Sequence, residues 1–285
     1  MKRPIPQLLC MLLIFAALYA IPAQVHASEE KTVTLFGNSY DTDVAFLDLS
    51  GTQIAAIAVL EAALSQFPNL KQVDMIDCGI SNEEMEALNQ RNPGIKFVWA
   101  VQIQGIKLRT DATSFMPTKE GYRVFDSDCQ LLKYCHDLEC IDLGHMPIYN
   151  CDFLYGTPHV KYLILADTSI SDATPIGTLT ELEFLELFLT KVMDYSPLIN
   201  CTNLKDLNLC FSPAFDNSPL FQMTWLDRLW VVGSSLSWSE QKLLRNTLPN
   251  TTIVIQSNAS TQQGWRHGPR YYLQRDIFEM PYNVN

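Results

Sequence analysis

The side chains with the greatest chemical potential in this chain are its cysteines and histidines. Of eight cysteines, Cys10 lies in an apolar N-terminal run, which leaves seven. His145 and Asp167 are spaced to hydrogen-bond on neighbouring coils, and Cys140 or Cys210 nearby would give a Cys–His nucleophile. A solvated histidine beside an acid is the ordinary outcome of such spacing. The sequence has no Cys-x-x-Cys pair, no helical histidine pair and no catalytic or phosphate-binding motif. We therefore expect no enzyme, no metal site and no cofactor.

The 22-residue spacing of His145 and Asp167 recurs through the second half of the chain. A frame that starts at Leu138, Val160, Leu182 and Leu204, with a fifth start at Leu226, has apolar residues at positions 1, 4, 6 and 11 of its first four repeats. Positions 4 and 6 point to one face of a short strand. One repeat cannot bury this stripe alone, whereas stacked repeats can, in a parallel sheet with strands about 4.8 Å apart.

Polar residues in the same frame predict where each coil turns. Position 9 carries Thr or Ser, whose hydroxyl can satisfy the backbone at the bend. An Asp then comes three residues before a Pro, which suits the start of a short helical turn where an acceptor is needed and a donor is not. The columns are Thr168, Thr190 and Ser212; Asp172, Asp194 and Asp216; and Pro175, Pro197 and Pro219.

This pattern resembles the leucine-rich repeat family, in particular the 22-residue internalin-like type of bacterial surface proteins. The strand segment LECIDLGHMPI, the irregular region 95–137 and the tail GWRHGPRYYLQRDIFEMPY also resemble secreted leucine-rich repeat proteins of gut Firmicutes. The resemblance implies an α/β leucine-rich repeat solenoid, with a curved parallel β-sheet on the concave face and short helical turns and some helices on the convex face. It also implies a bacterial source and a Gram-positive exterior, and no known reaction.

Four segments follow from these signals. Residues 1–27 have a basic start, an apolar run and the small residues Val25 and Ala27, which predict a secretory signal peptide cleaved after Ala27. An uncleaved membrane anchor is the alternative, although the apolar run is shorter than the roughly 20 residues of a spanning helix. Residues 28–137 are predicted to form irregular repeats with an insertion. Residues 138–256 form the regular repeats, and residues 257–285 a C-terminal cap or tail.

In such a solenoid, positions 3, 5, 7 and 8 point outward on the concave face. Aromatic and charged side chains on neighbouring strands there would form one contiguous patch, which suits a protein, peptide or glycan ligand. The alternative is that loops or the tail cover these rings. The predicted ligand-binding residues are Tyr162, Phe184, Glu186, Phe188, Asp206, Asn208, Phe211, Arg228 and Trp230.

Two further predictions concern a cysteine pair and the tail. Cys129 and Cys151 are one period apart, so they stack about 5 Å apart on neighbouring coils, within disulfide range. We predict a Cys129–Cys151 disulfide, with a pair of small buried thiols as the alternative. The aromatic-rich residues 265–285 predict a cap over the last coil, with RDIFEM as a short helix. A partner-binding tail is the alternative.

The charge and composition limit the partners. The chain of 285 residues is 47% hydrophobic and has a formal charge of −11, which repels nucleic acid and anionic membranes. The sequence therefore predicts an extracellular, non-catalytic recognition protein without a stable membrane span in the mature chain. A structural spacer protein without a specific ligand is the alternative. An exposed concave patch favours the binder, a covered one favours the spacer, and the oligomeric state is left open.

Overall fold

The first element of the described residues is a small antiparallel hairpin. A computed structural model describes residues 31–212 and 214–281, so the predicted signal peptide lies outside the described residues. The hairpin consists of β1 (Thr32–Leu35) and β2 (Asn38–Asp41). Phe36 and Gly37 form its two-residue turn with φ of 50° and 85°, a backbone geometry that matches the twist of paired strands.

Three irregular coils follow and form a parallel sheet of their own. Its strands are β3 (Phe46–Asp48), β4 (Gln72–Asp74) and β5 (Lys96–Val98), in that order. Two return segments are helical, α1 (Ile57–Ala63) and α2 (Asn82–Arg91). Ser81 caps α2 by accepting the Glu84 N–H, which satisfies a donor that has no partner inside the helix.

The solenoid is interrupted after β5. Within the irregular region 95–137, the apolar and β-branched residues of IKFVWAVQI (95–103) predict one strand. The structure instead ends β5 at Val98 and starts a second hairpin, β6 (Ala100–Ile103) and β7 (Ile106–Arg109). Trp99 lies between them because its main chain bonds Thr110 in both directions: its N–H donates to the Thr110 side chain, and its carbonyl accepts the Thr110 N–H. The break therefore comes from a competing antiparallel pairing.

The regular repeats build a parallel sheet of seven strands. Each neighbouring pair from β9 to β13 is in register with an offset of 22 residues, as in Tyr162 opposite Phe184, so the frame read from the sequence is confirmed. The strands are β8 (Ser114–Phe115), β9 (Cys140–Asp142), β10 (Tyr162–Ile164), β11 (Phe184–Glu186), β12 (Asp206–Asn208), β13 (Arg228–Trp230) and β14 (Thr252–Val254).

Short helical turns cover the convex side of these repeats. They are α3 (Asp126–Cys129) and the 3-10 turns Gln130–Tyr134, Asp152–Gly156, Ile176–Thr178, Ser196–Asn200 and Ser218–Gln222, followed by α4 (Trp238–Thr247). The Asp column starts the turns as predicted: Asp172, Asp194 and Asp216 each accept a backbone N–H two residues on. Three successive coils of the solenoid are therefore held by the same side-chain-to-backbone hydrogen bond.

The core lies between the sheet and these turns. All the residues at positions 4 and 6 of the four repeats are fully buried in it. Hydroxyls stack at the bend: the Thr190 N–H donates to the Ser212 hydroxyl, which donates to the Leu187 carbonyl at 2.7 Å. Such pairing matters because a buried, unpaired polar group costs about 1–3 kcal/mol. The fold is a leucine-rich repeat solenoid of the α/β class.

The last helix of the described residues is α5 (Pro269–Ile277), which follows a 3-10 turn at Trp265–His267. The predicted helix over RDIFEM is thus confirmed in part, since α5 begins earlier and ends at Ile277. Among residues 31–212 and 214–281, the helices are too short or too polar to span a bilayer.

Candidate functional site

The concave face of the regular repeats is a second apolar surface, separate from the core. Along β9 to β13, positions 3 and 5 point away from the core, and there Tyr162, Phe184 and Trp230 pack into a cluster with three residues of the C-terminal segment. These three are Trp265, Tyr271 and Phe278. We call residues 257–281 the C-terminal strap, because this segment runs back over the face that the strands present.

The strap crosses the sheet from its last strands to its first. It leaves β14, turns over β12 and β13, and continues as α5. At the far end, Phe278 borders the same small cavity as Phe115 of β8, and Glu279 pairs with Lys119 at 3.0 Å. Residues from the two ends of the seven-stranded sheet are thereby tied together.

The first part of the strap is held by its main chain. Asn208 donates its amide N–H to the Ser260 carbonyl at 2.9 Å, and the Trp230 indole donates to the Gln262 carbonyl at 2.9 Å. The Arg228 guanidinium donates to the Trp265 carbonyl at 2.9 Å. Three strand side chains therefore bind an irregular segment through atoms that every peptide possesses.

Trp265 is the buried centre of this contact. Its ring lies 5.2 Å from the Phe184 ring and 5.2 Å from the Trp230 ring, measured between centroids. Its indole N–H donates to the Glu186 carboxyl, and the Arg228 guanidinium lies over its ring at 4.7 Å. The side chain is fully buried. Aromatic packing, a hydrogen bond and a cation–π contact thus converge on one residue.

Ion pairs between arginine and carboxylate groups hold the strap at Arg270, in the first turn of α5. Arg228 binds Asp206 through two N–H groups at 2.7 and 2.8 Å, a bidentate pair of the strong kind. From the strap, Arg270 reaches Asp227 at 2.9 Å, Asp206 at 3.4 Å and Glu183 at 3.7 Å. We call Glu183, Asp206 and Asp227 the acidic edge of the face, and Arg270 of the strap is the basic residue that pairs with it.

Glu186 is buried beneath the strap, and Asp142 of the same face is partly buried. Burial raises the pKa of Glu186 to about 7, against the partly offsetting hydrogen bond from Trp265. Burial also raises the pKa of Asp142, although the Gly144 backbone N–H and the charges of His145 and Arg275 oppose the shift. The closed strap therefore favours the protonated form of both groups.

The α5 half of the strap fits less well. The Gln274 Oε1 and Arg275 Nε atoms are buried and find no hydrogen-bond partner among the described residues. An unpaired buried polar atom costs roughly 1–3 kcal/mol. The hydrogen bonds and ion pairs between the strap and the strands are therefore concentrated in the segment from Ser260 to Arg270.

The predicted ligand-binding residues are brought together on this face, but the strap covers most of them. Phe184 and Asn208 are fully buried, Glu186 is 6% exposed, and only Phe211 at the rim stays exposed, at 37%. The others are Tyr162, Phe188, Asp206, Arg228 and Trp230, which are buried or nearly so. The expected open patch is therefore not found. The tail covers the aromatic rings of the concave face, which is the alternative given with that prediction. Contact of these residues with a separate ligand stays a prediction.

The strap also corrects the expected cap. The sequence predicts that residues 265–285 close the last coil, but the described part of this segment lies on the concave face. Ile253 and Ile255 of the last coil stay partly exposed and border an open cavity of about 290 Å³ with Arg245. Sequence reasoning missed Trp265 and Arg270 as partners of the face. The density of aromatics in the tail was the available signal.

The cysteines occupy buried positions and are all free thiols among the described residues. The predicted Cys129–Cys151 disulfide is therefore absent from this structure. Burial raises the pKa of both thiols to about 12, and the Cys151 thiol donates to the Asp172 carbonyl. The Cys129 and Cys151 side chains thus pack in the core as small hydrophobic groups, which is the alternative given with the disulfide prediction.

The structure does not assemble a Cys–His pair, and His145 adopts the ordinary arrangement of a solvated histidine beside an acid. His145 hydrogen-bonds Asp167 at 2.8 Å on the exposed rim, as the spacing predicts. Cys140 and Cys210 are buried beneath the strap, and burial raises the pKa of Cys210 to about 11 and holds that of Cys140 well above its usual range. Within residues 31–212 and 214–281, no cluster of three His, Cys, Asp or Glu side chains could hold a metal ion.

Comparison with known proteins finds likeness in structure only. No protein-family model and no curated protein matches the sequence. An internalin of Listeria monocytogenes, internalin F, aligns with 81% of this chain at 17% identity and a TM-score of 0.46, and the chain spans 60% of its length. Internalin C2 of the same species aligns at 18% identity and a TM-score of 0.40, over 81% of this chain and 83% of its own. A leucine-rich repeat protein of Leptospira interrogans aligns at 18% identity and a TM-score of 0.46, over 67% of this chain and 50% of its own.

Proposed function

We propose that the protein is a non-catalytic recognition protein that works outside a Gram-positive cell and binds a peptide segment of another protein along its concave face. The observation that carries the proposal is the way in which the face holds the strap. Three strand side chains donate to main-chain carbonyls of the strap, namely Asn208, Arg228 and Trp230. A buried slot between Phe184 and Trp230 takes one aromatic ring, that of Trp265. These are the contacts with which a receptor binds a peptide.

A peptide fits this face better than a glycan. The face offers N–H donors spaced to meet carbonyls at residues 260, 262 and 265 of an irregular chain. Because main-chain carbonyls are common to all peptides, such donors fix the path of a segment, while the slot and the acidic edge select its side chains. The proposed extracellular location is supported by the signal peptide predicted at residues 1–27.

Coverage of the face supports a second candidate, a structural spacer. If the strap never leaves, it completes the solenoid and no ligand reaches the strands. This alternative predicts that the face cannot accept a peptide in trans even when the strap is weakened.

The two candidates are separated by a binding measurement. The probe is a fluorescein-labelled synthetic peptide of residues 257–281, and the protein is the mature chain with Trp265→Ala and Arg270→Ala, which weaken its own strap. We expect saturable fluorescence anisotropy, and no binding of a scrambled peptide. On this background, Trp230→Phe removes the donor to the peptide carbonyl and should weaken binding about fivefold, since a net hydrogen bond is worth about 1 kcal/mol.

Trp238→Phe is the matched control, because Trp238 is 78% exposed on α4, away from the concave face. It should leave the affinity unchanged. No saturable binding by a folded protein, judged by circular dichroism, would reject peptide recognition and leave the spacer.

A further inference from the structure

We infer that the strap is a tethered competitor, and that the peptides taken by the concave face carry its pattern, a tryptophan followed five residues later by an arginine. This inference rests on the proposed function, and it adds the chemical class of the ligand and the way in which access is controlled. The pattern is that of Trp265 and Arg270, the two strap side chains with the most specific contacts to the strands.

The slot for Trp265 selects an aromatic ring that also has an N–H. Phe184 and Trp230 form its apolar walls, and the Glu186 carboxyl accepts the indole N–H. A phenylalanine would fill part of the space but leave the buried carboxyl without its donor. Sites that pair a buried polar group with the ligand reject analogues that lack the partner.

The acidic edge selects an arginine at the second position. Asp206, Asp227 and Glu183 all lie within 3.7 Å of the Arg270 guanidinium nitrogens. Arg228 pairs with Asp206, so the strands alone contribute three acidic groups and one basic group here. A planar guanidinium can meet several carboxylates in different directions, whereas a lysine has a single charged nitrogen.

The strap does not satisfy all of its own buried polar atoms, so another peptide can bind the strands with a more favourable free energy than the strap does. Its α5 half buries two polar atoms, on Gln274 and Arg275, without partners among the described residues. A peptide with the same Trp and Arg but apolar residues at these two positions would avoid that cost. Against this, the strap has a short tether, which gives an effective concentration in the millimolar range. A free peptide must therefore bind more tightly than the strap to displace it.

The test compares how different chains bind the labelled peptide of residues 257–281. In wild type the peptide competes with an intact strap, whereas in the Trp265→Ala chain it competes with a weakened one. The expected result is at least tenfold tighter apparent binding by Trp265→Ala, which corresponds to about 1.4 kcal/mol. Arg270→Ala is a second, independent variant, since its side chain is 20% exposed and its loss leaves the apolar cluster intact. Trp238→Ala and Arg245→Ala, matched residues on α4, should bind like wild type.

Specificity is tested with altered peptides on the Trp265→Ala chain. The peptide forms with Trp265→Phe and with Arg270→Lys should each bind at least fivefold more weakly than the unaltered peptide. Equal affinities for the altered and unaltered peptides would overturn the ligand pattern.

The outcomes separate this inference from the proposed function. Tight binding by wild type and by both strap variants alike would overturn competition by the strap while peptide recognition stands. Absence of binding to every chain, each shown to be folded, would overturn both.

Discussion

Closure of the strap should depend on pH through Glu186. In the closed structure its carboxyl is 6% exposed and meets the Trp265 indole, and burial raises its pKa from 4.5 to about 7. Asp142 on β9 raises this pKa further, while Arg266 of the strap and His145 on the rim lower it. With the strap open, the carboxyl is in water and we expect its ordinary pKa.

The magnitude and sign follow from the two pKa values. A group whose pKa is higher in the closed state stabilises that state most at low pH, where both forms are protonated. That stabilisation is lost as the pH rises from about 4.5 to about 7. The difference of about 2.5 between these two pKa values, at 1.36 kcal/mol per pKa unit, gives about 3 kcal/mol. The ratio of closed to open strap therefore changes a few hundredfold over the full titration, of which up to about a hundredfold falls between pH 5 and pH 8. Asp142, whose pKa is also raised by burial, acts in the same direction.

Amide hydrogen exchange measured by mass spectrometry can follow this loss. After correction for intrinsic rates, protection of strap residues 262–275 should fall by up to about a hundredfold between pH 5 and pH 8, while amides of β11 inside the sheet serve as reference. Glu186→Gln keeps an acceptor for the indole but cannot ionise, so it should flatten most of the slope.

Glu84→Gln, at an exposed carboxylate on α2, is the matched control and should leave the slope unchanged. If Glu186→Gln retains the wild-type pH profile, the reasoning that ionisation of this buried carboxyl opposes closure of the strap is refuted.

Three further predictions concern the solenoid itself. Gly156→Ala should lower the free energy of unfolding in urea by about 2 kcal/mol or more, because the added Cβ would lie 2.4 Å from the Lys133 carbonyl oxygen; Gly94→Ala, with nothing within 4 Å, should be near neutral, and equal losses would contradict the packing argument. Ser212→Ala should cost about 1–3 kcal/mol in the same assay, since its hydroxyl joins the Thr190 N–H to the Leu187 carbonyl; an unchanged midpoint would show that the hydroxyl stack contributes little. The Cys129 and Cys151 thiols, whose pKa is about 12, should react slowly with iodoacetamide at pH 8 until the protein is denatured; peptide mapping without reductant that recovers a Cys129–Cys151 bridge would instead support the disulfide read from the sequence.

Local physics explains why the repeats were readable from the sequence. A 22-residue coil repeats its hydrogen bonds and its buried positions, so Leu163, Leu185 and Leu207 reveal the register before any coordinates exist. The Asp column that starts the turns follows from chemistry within three residues. These features depend on neighbours in the chain or on the next coil, which is why frame, fold class and turn positions were all predictable.

The strap was not readable because its partners are distant in sequence. The Trp265 indole and the Glu186 carboxyl are 79 residues apart, and nothing in either local sequence encodes the pairing. The tail looked like a cap because aromatic residues need burial, but composition does not tell which surface buries them. The break after β5 was missed for a related reason, since residues 96–103 favour a strand and only the competing hairpin divides them.

The link between Lys119 and Glu279 has a consequence for how the molecule folds. A stack of repeats has contacts mainly between adjacent coils, so it can form and dissolve coil by coil. Here the strap runs back from β14 to the first strands, where its Glu279 pairs with Lys119 across 160 residues, so the two ends of the seven-stranded sheet are also linked through the strap. Long-range closure of this kind slows folding. Because the strap follows every strand of the sheet in the chain, the concave face must remain without its own strap until the segment after β14 has been synthesised.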